Sequence, residues 1–310
     1  MSALTRWRRR AAAAVAALWF GLPALAQDCP PLVDAAPAAI ADRGPLWSLE
    51  RDGRRSWLYG TLHLGRPGWA TPGPRTTAAL AASDVVALEL DPEDPAVQRV
   101  LLSEALRPVA PLAPELATRL ARAVRGACLD PAALAALHPA MQAIVVTLTE
   151  ARRAGLDTAW GQEAALARAA RGSGRPLVAL ETAELQVQVL LPREPKAIAA
   201  AVDRTLAPLE SGQATAALQR LAGAWERADL ATIADYESWC GCVADEADHE
   251  ALRELNDERN PALADGIAAL HAQGRSVFAA VGALHMTGPQ ALPRLLQARG
   301  FVVRPVSPAP

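Results

Sequence analysis

Strand-forming residues in this chain fall at its two ends, and that placement limits the folds open to it. "LWSLE" and "RSWLYGTLHL" stand early, and "RSVFAAVG" and "FVVRPV" close the sequence. Asp52-Gly53 supplies hairpin-turn chemistry between the first two runs. Two short runs in the interior, "DVVALELD" and "RPLVALE", read as further buried strands. Almost everything else from Asp94 to Ala272 carries helical spacing, with Asp-Pro and Ala-Pro pairs at helix starts. The expected fold class is therefore α/β, a mixed central β-sheet built from both chain ends with a large helical insertion. The alanine-rich helices read as packing elements, and no solenoid repeat is present.

The first 26 residues stand apart from this pattern. Arg6, Arg8, Arg9 and Arg10 precede the short apolar run "AAAAVAALWFGL", and "ALA" supplies small residues before Gln27. This order predicts a signal peptide over residues 1–26, cleaved after Ala26, with one domain over residues 27–310. The apolar run is too short for a confident spanning helix, and an uncleaved anchor is the alternative. The expected location is periplasmic or secreted, with no stable membrane span after cleavage. Loss of the four leader arginines moves the formal charge from −2 to −6. An acidic domain offers no footprint for phosphate backbones, so nucleic acid is excluded as a partner.

Cys29, Cys128, Cys240 and Cys242 survive cleavage, and an even count in an exported chain reads first as two disulfides. A Cys240–Cys242 bridge is expected to be strained, so pairing of either with Cys29 or Cys128 is an equal alternative. No second cluster of ligands accompanies "WCGC" to make it a metal site.

The chemistry-bearing residues gather at strand ends. Gly60 stands three places before His63 in "YGTLHL", and Gly282 three places before His285 in "VGALHM". Gly60 removes a side chain where another backbone or a ligand can approach. The residues after His285 suggest a helix start at Thr287–Pro289, which would put the imidazole at a positive dipole end and favour its neutral, metal-binding form. Glu89 ends an apolar strand, where an ionised acid is costly unless paired. Asp91 shares its strand face, and Glu181 repeats the setting in a second "VALE". Arg259 and Asn260 offer a charge clamp and an amide donor. His138 and His271 read as structural, His249 as solvated, and Asp157 as a loop acid or helix cap. No Gly-x-Ser-x-Gly elbow, phosphate loop, dinucleotide fingerprint or His-Glu-x-x-His helix occurs.

These phrases together resemble the TraB/GumN family, which includes the Tiki proteases of animals and a pheromone-shutdown protein of bacterial plasmids. The likeness runs from "WSLE…WLYGTLHLG" through "SDVVALELD", "RPLVALETAELQ" and "ERNPALADGI" to "VFAAVGALHMTGPQ". It implies a core like those of the erythromycin esterases and haem-uptake proteins. It also implies a metal-dependent hydrolase, most readily a peptidase acting on a peptide or protein substrate. His63, His285 and Glu89 map to the family's essential residues, Arg259 and Asn260 to its Arg-Asn pair, and Glu181 to its "LET" phrase. On this reading His63, His285 and one glutamate hold a divalent zinc, manganese, cobalt or iron ion. The other glutamate is the general base, and Arg259 and Asn260 steady the oxyanion. A ligand-sequestering protein and a haem or metal carrier are the competing readings.

Overall fold

In the computed structural model, which describes residues 29–33 and 40–307, both chain ends meet in one six-stranded sheet. The leader lies outside the described residues. The strands are β1 (Leu46–Arg51), β2 (Arg54–Thr61), β3 (Val85–Leu88), β4 (Leu177–Ala179), β5 (Val277–Gly282) and β6 (Val302–Pro305). Their spatial order is β4-β3-β5-β2-β1-β6. Asp52 and Gly53 both take positive φ, 52° and 70°, which matches the twist of the β1–β2 hairpin. β6 adds antiparallel to β1, while β2, β5, β3 and β4 run parallel. The sheet is thus mixed, and the expected α/β class holds.

Parallel strands must be covered on both faces. Along β5, Phe278 and Ala280 face one core cluster, and Val277, Ala279 and Val281 face the other. Leu166 of helix Gln162–Gly172 and Trp225 of helix Gln213–Glu226 close the first face. Leu263 and Ile267 of helix Asn260–Ala272, with Leu296 of helix Leu292–Ala298, close the second. A third cluster joins helices Pro114–Gly126, Pro139–Glu150 and Pro195–Glu210 through Val124, Val146 and Val202. The insertion falls in two parts, between β3 and β4 and between β4 and β5.

The topology turns sequence neighbours of four strands into spatial neighbours. The carboxyl ends of β2, β3, β4 and β5 lie along one edge of the sheet, where ligands bind in open α/β folds. The two "VALE" copies lie side by side with a one-residue offset, Ala87 opposite Val178, and Glu181 N–H donates to Glu89 O at 3.0 Å.

Two disulfides form, as the even cysteine count led one to expect, and the open connectivity resolves as Cys240–Cys242 and Cys29–Cys128, the latter across a separation of 99 residues. Gly241 takes φ +67°, a conformation that lets the chain fold back between the two sulfurs. Among the described residues no helix is long and apolar enough to cross a membrane.

His138 and His271 are structural, as expected. His271 sits in a closed relay: Val277 N–H donates to Ser56 Oγ at 2.9 Å, and Ser56 Oγ lies 2.8 Å from His271 Nδ1. His271 Nε2 lies 3.0 Å from Arg51 O, an acceptor only, so Nε2 carries the proton and Nδ1 accepts from Ser56. Burial pushes this imidazole below its ordinary value of 6.5. The folded state therefore binds its proton less readily than the unfolded chain, and its stability contribution is lost as pH falls below about 6.5. Urea midpoints measured from pH 7 to pH 5 are expected to fall less steeply for His271→Gln than for the parent. Equal slopes would contradict the neutral relay.

Candidate active site

A cavity of about 540 Å³ opens at the carboxyl edge of the parallel strands, roofed by the helical insertion. His63, Glu89, Arg259, Gly282 and His285 share its wall. Glu181 and Asn260 do not line it. They stand behind residues that do.

Glu89 follows β3 directly and is 6% exposed. Its Oε1 accepts from Gly282 N–H at 2.7 Å. Its Oε2 accepts from Arg259 Nη2 at 2.7 Å and Gln186 Nε2 at 3.2 Å. Burial alone would raise this carboxyl, but His285, His63, Arg259 and the Gly282 amide outweigh it and hold it near about 2. An ionised carboxylate offers about four acceptor sites. Three protein donors are engaged, which leaves one site open on Oε1. A Cβ on Gly282 would stand 3.3 Å from Oε1 and 3.4 Å from His285 Cδ2, so this glycine brings carboxylate and imidazole against bare backbone. Gly60 serves a different contact. A side chain there would meet Pro45 Cγ at 2.8 Å and Ala283 Cα at 3.3 Å, so it lets β2 approach the turn that carries His285.

Arg259 joins both "VALE" strands. Its Nε donates to Glu181 Oε1 at 2.8 Å and its Nη2 to Glu181 Oε2 as well as to Glu89. Nη1 donates to Leu255 O at 2.8 Å, within the π-helical turn Arg253–Asp257. Such turns recur at functional sites because they re-aim the residues that follow. Gln186 Nε2 donates to Glu181 as well, at 3.1 Å. Glu181 is therefore committed to the guanidinium and turned from the cavity, which suits a positioning role better than the general base expected from sequence.

His285 lies in the 3-10 turn Ala283–Met286, and the next helix starts only at Leu292. The expected helix N-terminus at His285 is thus absent. Its neutral form has another cause, since burial pushes it down to about 4. Asn260 Nδ2 donates to Gln290 O at 2.8 Å and His285 O at 3.3 Å. Its Oδ1 must then be the atom 2.6 Å from His285 Nδ1 and accepts that N–H. His285 is fixed with Nδ1 protonated and Nε2 carrying the lone pair. Asn260 is fully buried, so its role is orienting His285 rather than meeting an oxyanion.

His63 finds a partner the sequence did not reveal. Glu163 Oε1, in the first turn of helix Gln162–Gly172, lies 3.1 Å from His63 Nδ1. The His63 side chain stays 70% accessible. The Glu163 carboxylate nonetheless pushes the imidazole up to about 9 against the opposing effect of desolvation. Both imidazoles therefore have Nδ1 against an oxygen acceptor. Gln186 is the second residue missed, for it reads as one more polar position on helix Ala183–Leu190. The weaker candidates leave the site. Asp157 caps a 3-10 turn and pairs with Arg152, Asp91 pairs with Arg171, and His249 is an exposed partner of Glu237.

Two held imidazoles, a buried carboxylate and a clamped guanidinium at the strand ends define an α/β protein with a polar centre at one wall of an apolar cavity. Residues 45–305 match the TraB/PrgY/gumN family, and the chain belongs to that family. No curated protein and no solved structure matches it, so likeness to an erythromycin-esterase or haem-uptake core rests on sequence resemblance alone. Among the described residues no three His, Cys, Asp or Glu side chains already converge as a metal cage.

Two outcomes test this geometry. Asn260→Ala strips a buried N–H acceptor and two donors, and urea denaturation is expected to give a loss of about 1–3 kcal/mol. A loss under 0.5 kcal/mol, taken as roughly the surface-substitution range, would contradict the orienting bond. In metal-free Glu163→Gln, the His63 titration followed by NMR is expected to drop from about 9 toward 6.5. An unmoved titration would remove Glu163 as its partner.

Proposed function

We propose that this cavity hydrolyses an amide or ester bond with the help of a divalent cation, as the peptidase resemblance implies, in the periplasm or outside the cell. The observation that carries the reading is the shared setting of His63 and His285. Each has Nδ1 against an oxygen acceptor, which is how metal-ligating histidines are oriented by their outer partners. Among the described residues neither Nε2 atom has a hydrogen-bond partner, and both belong to residues lining one cavity. With the open acceptor site on Glu89 Oε1, they make a nitrogen and oxygen donor set that fits zinc, manganese, cobalt or iron. Their closure on a cation would draw in side chains that now stand apart. When bound, such an ion polarises a carbonyl and makes water a stronger nucleophile near neutral pH.

The chain's own residues supply the rest. Neutral His285 adds no positive charge of its own near the cation, because burial keeps it unprotonated. Arg259 holds Glu89 ionised and fixed, and Glu181 holds Arg259. Asn260 accepts from Nδ1 of His285 and so leaves its Nε2 unprotonated, and Glu163 faces Nδ1 of His63, whose raised affinity for protons a cation at Nε2 would have to overcome. The disulfide Cys29–Cys128 supports an oxidising compartment. Capture of a ligand without turnover, or carriage of haem, is the outcome to separate.

Peptide and ester libraries, tested with each of the four metals, are expected to yield a cleaved substrate. Glu89→Gln is expected to lower that rate by about 10²–10⁴-fold with folding intact. No cleavage under any metal, with a ligand still retained, would replace the hydrolase by a binding protein. A Soret band on haem addition would favour the carrier.

A further inference from the structure

The cavity is not an even mixture of polar and apolar wall. Its polar centre occupies the strand ends, and the helical roof contributes Ile144, Leu148, Leu218, Leu221 and Leu255, with Leu156 also on the wall. These residues come from separate helices and turns, so the apolar character belongs to the enclosed space rather than to one helix face. A volume near 540 Å³ is within the roughly 300–1,000 Å³ of pockets that enclose small ligands.

A peptide lying in this space would need partners for its backbone. Extended peptides obtain them from a free strand edge. Several of the backbone groups beside the cavity are already used, and the Thr61 hydroxyl is a buried polar group on its wall without a partner among the described residues. Leu62 N–H donates to Gln162 Oε1 at 2.7 Å, and Leu62 O accepts from Gln162 N–H at 3.3 Å. Gly65 and Asp157 exchange both bonds, at 3.0 and 2.9 Å. Gly282 N–H goes to Glu89. The side-chain donors Gln186 and Arg259 are spent on the two glutamates. A buried peptide unit without partners is strongly disfavoured, whereas an alkyl chain needs none. Arg259 is also paired twice, so it has little attraction left for an anionic headgroup.

We infer that the occupant of this cavity is a linear alkyl chain, carried as the acyl part of an ester whose carbonyl lies at the His63–Glu89–His285 wall. The catalytic half of this inference rests on the hydrolase reading, and the binding half rests on the cavity wall alone. In the reaction, water oxygen bonds to the acyl carbon and the bond from that carbon to the alkoxy oxygen breaks. The alcohol leaves with one proton of the water, and the fatty acid is the other product.

The test uses the purified protein and p-nitrophenyl esters from acetate to laurate, with metal present. Each added methylene is expected to raise kcat/KM about fourfold until the cavity is filled, the factor that corresponds to about 0.8 kcal/mol per buried methylene. Leu148→Trp and Leu218→Trp are expected to move the optimum to a shorter acyl chain, and an optimum that stays at the parent length would contradict the alkyl site. Binding of dodecanol, read by displacement of an apolar fluorescent dye, is a second readout that requires no chemistry. Dodecanol binding without ester cleavage would overturn the hydrolase reading and leave the alkyl site standing. Cleavage of peptides with a flat ester series and no dodecanol binding would overturn the alkyl site and leave the hydrolase standing.

Discussion

The candidate site depends on one guanidinium. Arg259 is buried between Glu89 and Glu181, which emerge from adjacent parallel strands, and its own chain segment belongs to the helical layer. Two carboxylates side by side in an apolar setting repel each other and lose hydration, so they cannot both stay ionised unsupported. Arg259 offsets that repulsion with planar, paired hydrogen bonds that a lysine cannot reproduce. Removing one partner from such a group is costly, about 3–5 kcal/mol, because it leaves the others buried and uncompensated. The clamp therefore links sheet and roof, and fixes Glu89 on the cavity wall.

From that clamp the remaining geometry follows in layers. Glu89 is held ionised, and Gly282 lets it reach the backbone of β5. The turn after Gly282 delivers His285, and Asn260, next to Arg259 in sequence, fixes its tautomer. One helix start thus supplies both the clamp of the carboxylate and the orienting amide of the imidazole. His63 is held independently, by Glu163 from the opposite side of the sheet's edge.

The strands were legible because their apolar runs are short, β-branched and bounded by turn residues such as Asp52-Gly53. The paired Gly-x-x-His phrases and the two "VALE" runs also led to one edge of the sheet. Roles were harder to read than positions. Glu181 and Asn260 fit a base and an oxyanion donor by residue type, but only folded contacts show that guanidinium and imidazole have claimed them. Glu163 and Gln186 looked like ordinary polar positions on alanine-rich helices, and an acid in a first helical turn already has a local explanation in the helix dipole. The helix start expected at Thr287–Pro289 failed because Gly288, at φ +81°, turns the chain before a helix can begin. The cysteine connectivity stayed open in the sequence because the positive φ of Gly241, which lets Cys240 and Cys242 meet, is a property of the folded chain.

The central claim is that two imidazoles, each held at Nδ1, turn their Nε2 atoms to one cavity and can share a cation there. Long-range proton–nitrogen NMR of the ring nitrogens, during zinc titration of the protein, tests it most directly. The account predicts an Nδ1–H tautomer for His285 before zinc and joint movement of both Nε2 resonances, complete at one equivalent. An Nε2–H tautomer at His285, or zinc responses that leave either ring unmoved, would contradict it.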